Sequence, residues 1–381
     1  MILPAGFRAA AGACGLKPSG ALDVGLIVCD AAECVSAARF CDSGVLAAPV
    51  VVTKERCELS ALRAVAVNSG NANAATGDAG VAEAVRVQEA TARALEQHPR
   101  HVAVASTGVI GVLLPGERIA AAIPRLVGAL DTDPAGFATA IRTTDSIDKV
   151  AEVTLGDVRL TAQCKGAGMI SPCFATMLCF VQSDAVLSAE QADRMLGAAV
   201  AQSFDRISVD GQLSTNDTVV LMASGASGVA AGDDFAGALN ATLRDLALRI
   251  VRDGEGARRI GCVRVRGGGE ETVERVARAV ANSPLVKAAL FGGDPNWGRI
   301  AQALGAALPG SAPLAFDIAI EGVTVARGGA AVPYDRPALI AAVAGDEVLY
   351  EVALPGEGAQ AEVFFSDLSY DYVKVNAEYT T

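Results

Sequence analysis

Histidine is almost missing: 381 residues contain only His98 and His101, both in the segment EQHPRH between a predicted helix and a predicted strand. A Ser-His or Cys-His mechanism needs one of them as its base. Their setting beside Pro99 and Arg100 is that of a solvated connection, so the base for any nucleophilic chemistry is expected elsewhere. No stretch approaches the ~20 uninterrupted apolar residues of a membrane-spanning helix. Met1 to Gly15 also lacks the basic start and long apolar run of a secretory signal. Basic residues are outnumbered, 31 against 43 acidic, for a net charge of -12. That balance repels phosphate backbones and argues against nucleic acid or an anionic membrane as the main partner. None of the nine cysteines falls in a CxxC pair and the count is odd. They read as small core residues of a reducing compartment, with neither a disulfide framework nor a metal site expected. A catalytic cysteine stays as an alternative. The expected location is cytoplasmic.

What is present is the material of a large packed core. Hydrophobic residues make up 51% and charged residues 19%, which argues against disorder; the length suits two domains or one large one. Apolar runs predict strands near Val24–Cys29, Ala64–Val67 and Val102–Ala105. Asp78 is positioned to cap a helix running to about Gln97, which Pro99 stops, and Asp133-Pro134 opens a shorter one ending before Thr143. KVAEVTL and VRLTAQC flank Gly156-Asp157, a hairpin signal. Ser188 with Gln191 forms a capping box for a helix to about Ser203. The second half repeats the mixture. Strands are predicted at VVLMA, CVRVR, Phe316–Ile320, Leu349–Leu354 and Glu362–Phe365, and helices at Phe235–Val251 and Glu270–Ala281. These elements predict an α+β fold, a layered αββα-like sandwich with mixed sheets.

Between the hairpin and the next strand lies KGAGMISPCFATMLCFVQ. Gly166, Gly168 and Pro172 oppose regular structure, and an apolar strand is expected to begin at Thr176. A constrained turn thus delivers a hydroxyl residue to the first position of a buried strand. A threonine hydroxyl is a weak nucleophile without an adjacent base. A threonine at a chain terminus has one, because its own α-amino group has a reference pKa of about 7.7–8.0.

The motifs NSGNANAATG, ASTGVIG, KGAGM, PCFATML, DGQLSTNDTV, DGEGA, SPLVKAALFGGDPNWGRI and the terminal YVKVNAEYTT resemble, in the same order, those of the ornithine acetyltransferase family. The resemblance covers nearly the whole chain. It implies self-cleavage between Ala175 and Thr176, attack by the Thr176 hydroxyl on the Ala175 carbonyl, and hydrolysis of the resulting ester. Residues 1–175 and 176–381 would then be two associated fragments, assembling as a heterotetramer of two of each. It implies ping-pong acetyl transfer from N-acetylornithine to glutamate in arginine biosynthesis, through an acetyl-Thr176 intermediate and with no cofactor. Thr107 and Gly108 would form the oxyanion hole, and Thr143, Lys165, Thr176, Glu255, Asn376 and Thr381 would contact the amino-acid substrates. Lys165 suits a carboxylate and Glu255 an ammonium.

Each residue also has a plain reading. Alone, Thr176 is a β-branched residue opening a strand, Lys165 a solvated lysine and Thr107-Gly108 a turn. Glu255 is then a surface carboxylate, and Asn376 and Thr381 a frayed terminus. DPNWGR, Asp294 to Arg299, reads equally as a packing corner stapled by an Asp–Arg pair. The GGG of RVRGGGEETVERVARAV does not fit a dinucleotide loop, and Glu270 and Glu271 stand where a phosphate would sit. The chain departs from the family pattern in RFCDSG near Cys41 and at Ala75, Asp148, Cys173, Phe174, Gln212 and Gly293. These departures leave open a related N-acyltransferase with another donor or acceptor. An N-terminal-nucleophile amidohydrolase and an inactive scaffold are the remaining alternatives.

Overall fold

A computed structural model describes residues 1–171 and 177–378. In chain order its strands are β1 (Phe7–Gly12), β2 (Val24–Cys29), β3 (Val35–Phe40), β4 (Ala64–Asn71), β5 (Val102–Val109), β6 (Lys149–Leu155), β7 (Val158–Lys165) and β8 (Leu178–Ser183). They continue as β9 (Ile207–Ser208), β10 (Thr218–Ala223), β11 (Ile260–Arg266), β12 (Asp317–Ile320), β13 (Val323–Arg327), β14 (Ala330–Ala331), β15 (Glu347–Ala353) and β16 (Gln360–Ser366). The helices are α1 (Ala48–Arg56), α2 (Gly77–Ala94), α3 (Gly116–Gly128), α4 (Ala135–Ala140), α5 (Ala189–Ala201) and α6 (Asp233–Arg252). After them come α7 (Glu270–Asn282), α8 (Pro284–Gly292), α9 (Trp297–Ala307), α10 (Arg336–Ala342) and α11 (Tyr370–Glu378).

Two sheets stack face to face. One has the order β1-β2-β4-β5 and the other β3-β10-β8-β7-β6. Alternation along the strands sorts the side chains into three apolar layers. Val102 and Val104 of β5 pack with Leu26 under α1, α2 and α3. Ala103 and Ala105 of the same strand face Leu178, Phe180, Val220 and Met222 of the second sheet. Cys179 and Val181, the alternate residues of β8, turn outward to Leu196, Leu243 and Leu246 of α5 and α6. Helix, sheet, sheet, helix is the predicted αββα arrangement. The predicted hairpin pairs Leu155 with Val158, and the capping box at Ser188 and Gln191 closes both of its hydrogen bonds.

Three local expectations are corrected. α2 begins after Thr76, and Asp78 lies inside its first turn, where its charge suits the helix dipole rather than capping an N–H. Arg299 does not staple Asp294; its Nη1 donates to the Leu285 carbonyl at 2.7 Å. The sandwich is also not the whole fold. A seven-stranded sheet, β14-β13-β12-β15-β11-β16-β9, packs against α7, α8 and α9 around its own apolar cluster. This unit joins the sandwich through β9, paired in parallel with β16.

β8 is central to the second sheet, antiparallel to β7 and parallel to β10. Strands from before and after residues 172–176 are thus hydrogen-bonded to each other along their length. Among the described residues, no helix is long and apolar enough to cross a membrane.

Candidate active site

The site lies where strand ends from both sheets converge. β4 and β5 run in parallel and come together at Gly70 and Gly108, with a bulge at Asn71. Gly108 has φ +133°, and a Cβ there would sit 2.4 Å from the Gly70 carbonyl carbon. Only glycine allows the two backbones this approach, and it fixes the orientation of the Thr107-Gly108 peptide. In the other sheet, Lys165 ends β7 opposite Leu178 of β8, and Leu178 is in turn opposite Thr218 of β10. Met177, the described residue next to Thr176, is fully buried between these ends.

A cleft of about 120 Å³ opens there. Of the predicted residues, Thr107, Gly108, Thr143, Lys165, Glu255 and Asn376 all line it, although they span 270 positions of sequence. Ala175, Thr176 and Thr381 lie outside the described residues. A larger, shallower groove between the β6–β7 turn and the start of α6 contains none of them. The two histidines are distant in role as well: His98 accepts a hydrogen bond from the Arg100 N–H and His101 lies beside Glu58.

Lys165 is the group most unlike its plain reading. It is 2% exposed, and its Nζ donates to Thr107 Oγ1 at 3.1 Å. Burial lowers its pKa, opposed by the carboxylates of Asp145 and Asp217. An ammonium only donates, so Thr107 Oγ1 must accept here, and the threonine keeps its own O–H for another acceptor. Lys165 therefore both positions the Thr107 hydroxyl and polarises it.

A buried ion group supports that lysine. Asp145 Oδ1 accepts from Lys149 Nζ and from the Gly166 N–H, each at 2.7 Å. Its Oδ2 accepts from the Thr143 N–H at 3.1 Å, and Lys149 also pairs with Asp253. Burial alone would raise the Asp145 carboxyl, but Lys165, Lys149 and the Gly166 N–H overcome it and hold its pKa at about 2. One carboxylate thus ties the Thr143 loop to the end of β7. Across the cleft, Glu255 accepts from Thr144 Oγ1 at 2.7 Å and from Asn376 Nδ2 at 2.9 Å. A Cβ on Gly168 would fall within 2.7 Å of the Glu255 carboxylate, so that carboxylate lies flat on the glycine turn. Asn376 sits in α11, a formed helix rather than a frayed end.

The turn before residues 172–176 is held from outside. Asp210 accepts from the Met169 N–H at 2.6 Å and the Ile170 N–H at 2.9 Å. Met169 adopts φ +57°, an unfavourable conformation for a residue with a side chain. On the far side, the Met177 N–H donates to Asp217 Oδ1 at 2.9 Å. Asn216 fixes the same loop by donating from Nδ2 to the Ala72 carbonyl at 2.7 Å.

The sequence reading passed over Asp145, Lys149, Asp210, Tyr372 and Asp217. Two motifs it quoted, DGQLSTNDTV and YVKVNAEYTT, contain Asp210, Asp217 and Tyr372, which was the available signal. Of the family departures among the described residues, Gln212 alone lines the cleft. Gly293 is explained locally: it ends α8 in the left-handed region at φ +62°. Asp148 pairs with Arg142 at 2.9 Å, away from the cleft.

A sequence profile of the ArgJ family matches residues 8–381. The arginine biosynthesis bifunctional protein ArgJ of Deinococcus radiodurans is 41% identical over 381 residues, covering 99% of this chain and 97% of the relative. The protein of the same name from Thermus thermophilus is 42% identical over 384 residues, covering 100% of this chain and 99% of that one. Among solved structures, the arginine biosynthesis bifunctional protein argJ of Bacillus halodurans is 34% identical. It covers 51% of this chain and 96% of its own, with a TM-score of 0.49.

Proposed function

The chain belongs to the ArgJ family, and on that footing we propose that it transfers an acetyl group from N-acetylornithine to glutamate through Thr176. It is an acetyltransferase of arginine biosynthesis. The observation that carries the residue-level reading is the convergence of Thr107, Gly108, Thr143, Lys165, Glu255 and Asn376 on one cleft beside Met177.

The chain cuts itself before Thr176, and the freed α-amino group serves as base for the hydroxyl of the same residue. That hydroxyl attacks the acetyl carbonyl of the donor. The Thr107 hydroxyl and a backbone N–H at Gly108 stabilise the oxyanion, with Lys165 strengthening the Thr107 donor. Ornithine leaves, its ammonium held by Glu255, and glutamate then takes the acetyl group from Thr176. Lys165 supplies the positive end of the site for a substrate carboxylate.

Residues 1–175 and 176–381 remain joined after scission because β8 stays hydrogen-bonded between β7 and β10. We assign two copies of each fragment to the assembly, and the cytoplasm as its location. Intact-mass analysis tests the processing. Wild type should give two polypeptides of about half the full mass, and Thr176→Ala one whole chain with no transfer. An undivided wild type that still acetylates glutamate from N-acetylornithine would refute the mechanism.

A further inference from the structure

Transfer between these two amino acids sets one cleft a problem of charge. The donor ends its side chain in an ammonium, and the acceptor ends its own in a carboxylate. Both must bring the α-nitrogen to the same acetyl group, so the two side-chain ends arrive at one place in turn. Glu255 suits the ammonium, and its like charge opposes the carboxylate. Some other group must reconcile the site to both.

Most polar side chains of the cleft are already committed. Lys165 donates to Thr107 Oγ1, and Glu255 accepts from Thr144 and Asn376. Asn376 Nδ2 also donates to the Tyr372 carbonyl at 3.1 Å. Asn216 donates to the Ala72 carbonyl and accepts from Thr215 Oγ1 at 2.6 Å. Gln212 differs from all of these. Its backbone is pinned, since its N–H donates to Asp210 Oδ1 at 3.1 Å and the Gly211 N–H donates to the Ile170 carbonyl at 3.1 Å. Gly211 holds φ +76°, and a Cβ there would meet Asn282 at 3.3 Å, so the loop keeps a fixed path along the cleft wall. The Gln212 side chain, exposed at the cleft, makes no hydrogen bond to the described residues.

A primary amide carries a carbonyl acceptor and N–H donors on one rotating group. Half a turn about its last bond presents the carbonyl to an ammonium or the N–H to a carboxylate, with no net charge to penalise either. Given the acetyl-transfer reading, on which the assignment rests, we propose that Gln212 is the specificity-determining residue for the side-chain ends of both amino acids. Its carbonyl accepts from the donor's ammonium together with Glu255. After ornithine has left, its N–H donates to the acceptor's side-chain carboxylate and offsets the charge of Glu255.

The test is the full reaction of wild type, Gln212→Glu and Gln212→Lys with N-acetylornithine and glutamate, each substrate varied in turn. In a ping-pong cycle kcat/KM for each substrate reports its own half-reaction. Q212E should lower kcat/KM for glutamate about 10-fold and leave that for N-acetylornithine equal or higher. Q212K should reverse the pattern, lowering kcat/KM for N-acetylornithine by about the same factor. A folding defect would depress both substrates alike, so a split of opposite sign in the two variants belongs to recognition. Equal changes for both substrates, or none, overturn the proposal. A wild type that carries no acetyl group from N-acetylornithine to glutamate overturns the reaction reading itself, a result distinct from an active wild type whose variants fail to split.

Discussion

The mouth of the sandwich and the seven-stranded unit follow opposite rules of burial. Around the ends of β5, β7, β8 and β10, Thr107, Asp145, Lys149, Lys165, Asn216 and Asp217 are all buried. Beyond residue 259 the buried polar residues are Lys287, Ser366, Asp367 and Ser369, and these lean back toward the sandwich. Lys287 Nζ donates to the Val209 and Ser366 carbonyls at 2.9 and 2.7 Å, and Ser369 Oγ donates to the Gly256 carbonyl at 2.6 Å. The rest of that unit's core is aliphatic and aromatic. Buried polar groups destabilise a fold unless each is paired, so their concentration in one place marks where geometry serves chemistry. The second unit braces the loop at residues 207–211, which in turn holds the turn at Met169 and Ile170 through Asp210.

This contrast can be broken from either side. Phe365, buried in the second unit and stacked on Tyr350 at 5.9 Å, is the larger target. Phe365→Ala should cost about 3–5 kcal/mol of stability while turnover per folded molecule stays near wild type. Urea unfolding beside active-site-normalised kcat checks this, and a matching collapse of kcat would show that the two regions are not separable. Thr107→Val keeps the shape at the other region and removes the hydroxyl. It should lower kcat about 10²–10³-fold, near 3–4 kcal/mol of transition-state stabilisation, with little change in unfolding midpoint. If KM alone rises, Thr107 binds substrate and does not serve the oxyanion.

The same contrast can be sharpened by a pair of pH dependences of different origin. Asp145 is held at about 2 rather than its ordinary 3.8. Its contribution is present above pH 4 and is lost as pH falls toward 2, about 2 kcal/mol in all. Lys287 is lowered from 10.5 to about 7 by burial. The unfolded chain therefore binds more protons between pH 7 and 10.5, and stability from this group rises across that window. Unfolding titrations of Asp145→Asn and Lys287→Met should each flatten the corresponding limb and leave the other. Parallel curves for wild type and either variant would contradict the assignment.

Much of the framework was legible because short-range physics sets it. The hairpin at Gly156-Asp157 followed from a turn signal between alternating runs, and the Ser188 capping box from two residues three positions apart. β2 matched its apolar run, Val24–Cys29, residue for residue. The seven-stranded sheet was not separated from the sandwich, since β11 and β15 run in parallel across more than 80 residues and no local pattern records such a pairing. At the site, Thr107, Lys165 and Glu255 came from motif resemblance and not from their own properties. Asp145 and Asp217 were missed because an aspartate in a polar loop ordinarily faces water.

The sequence by itself determined the periods of the strands, the stops and caps of most helices, and the scarcity of histidine that turns attention to a threonine with its own amine. The tertiary structure decided which charges lose water. Lys165, Asp145 and Asp217 became site residues only when two sheets stacked and β8 was inserted between β7 and β10. Desolvation depends on neighbours far away in sequence, and it is desolvation that turns an ordinary lysine or aspartate into a tuned one.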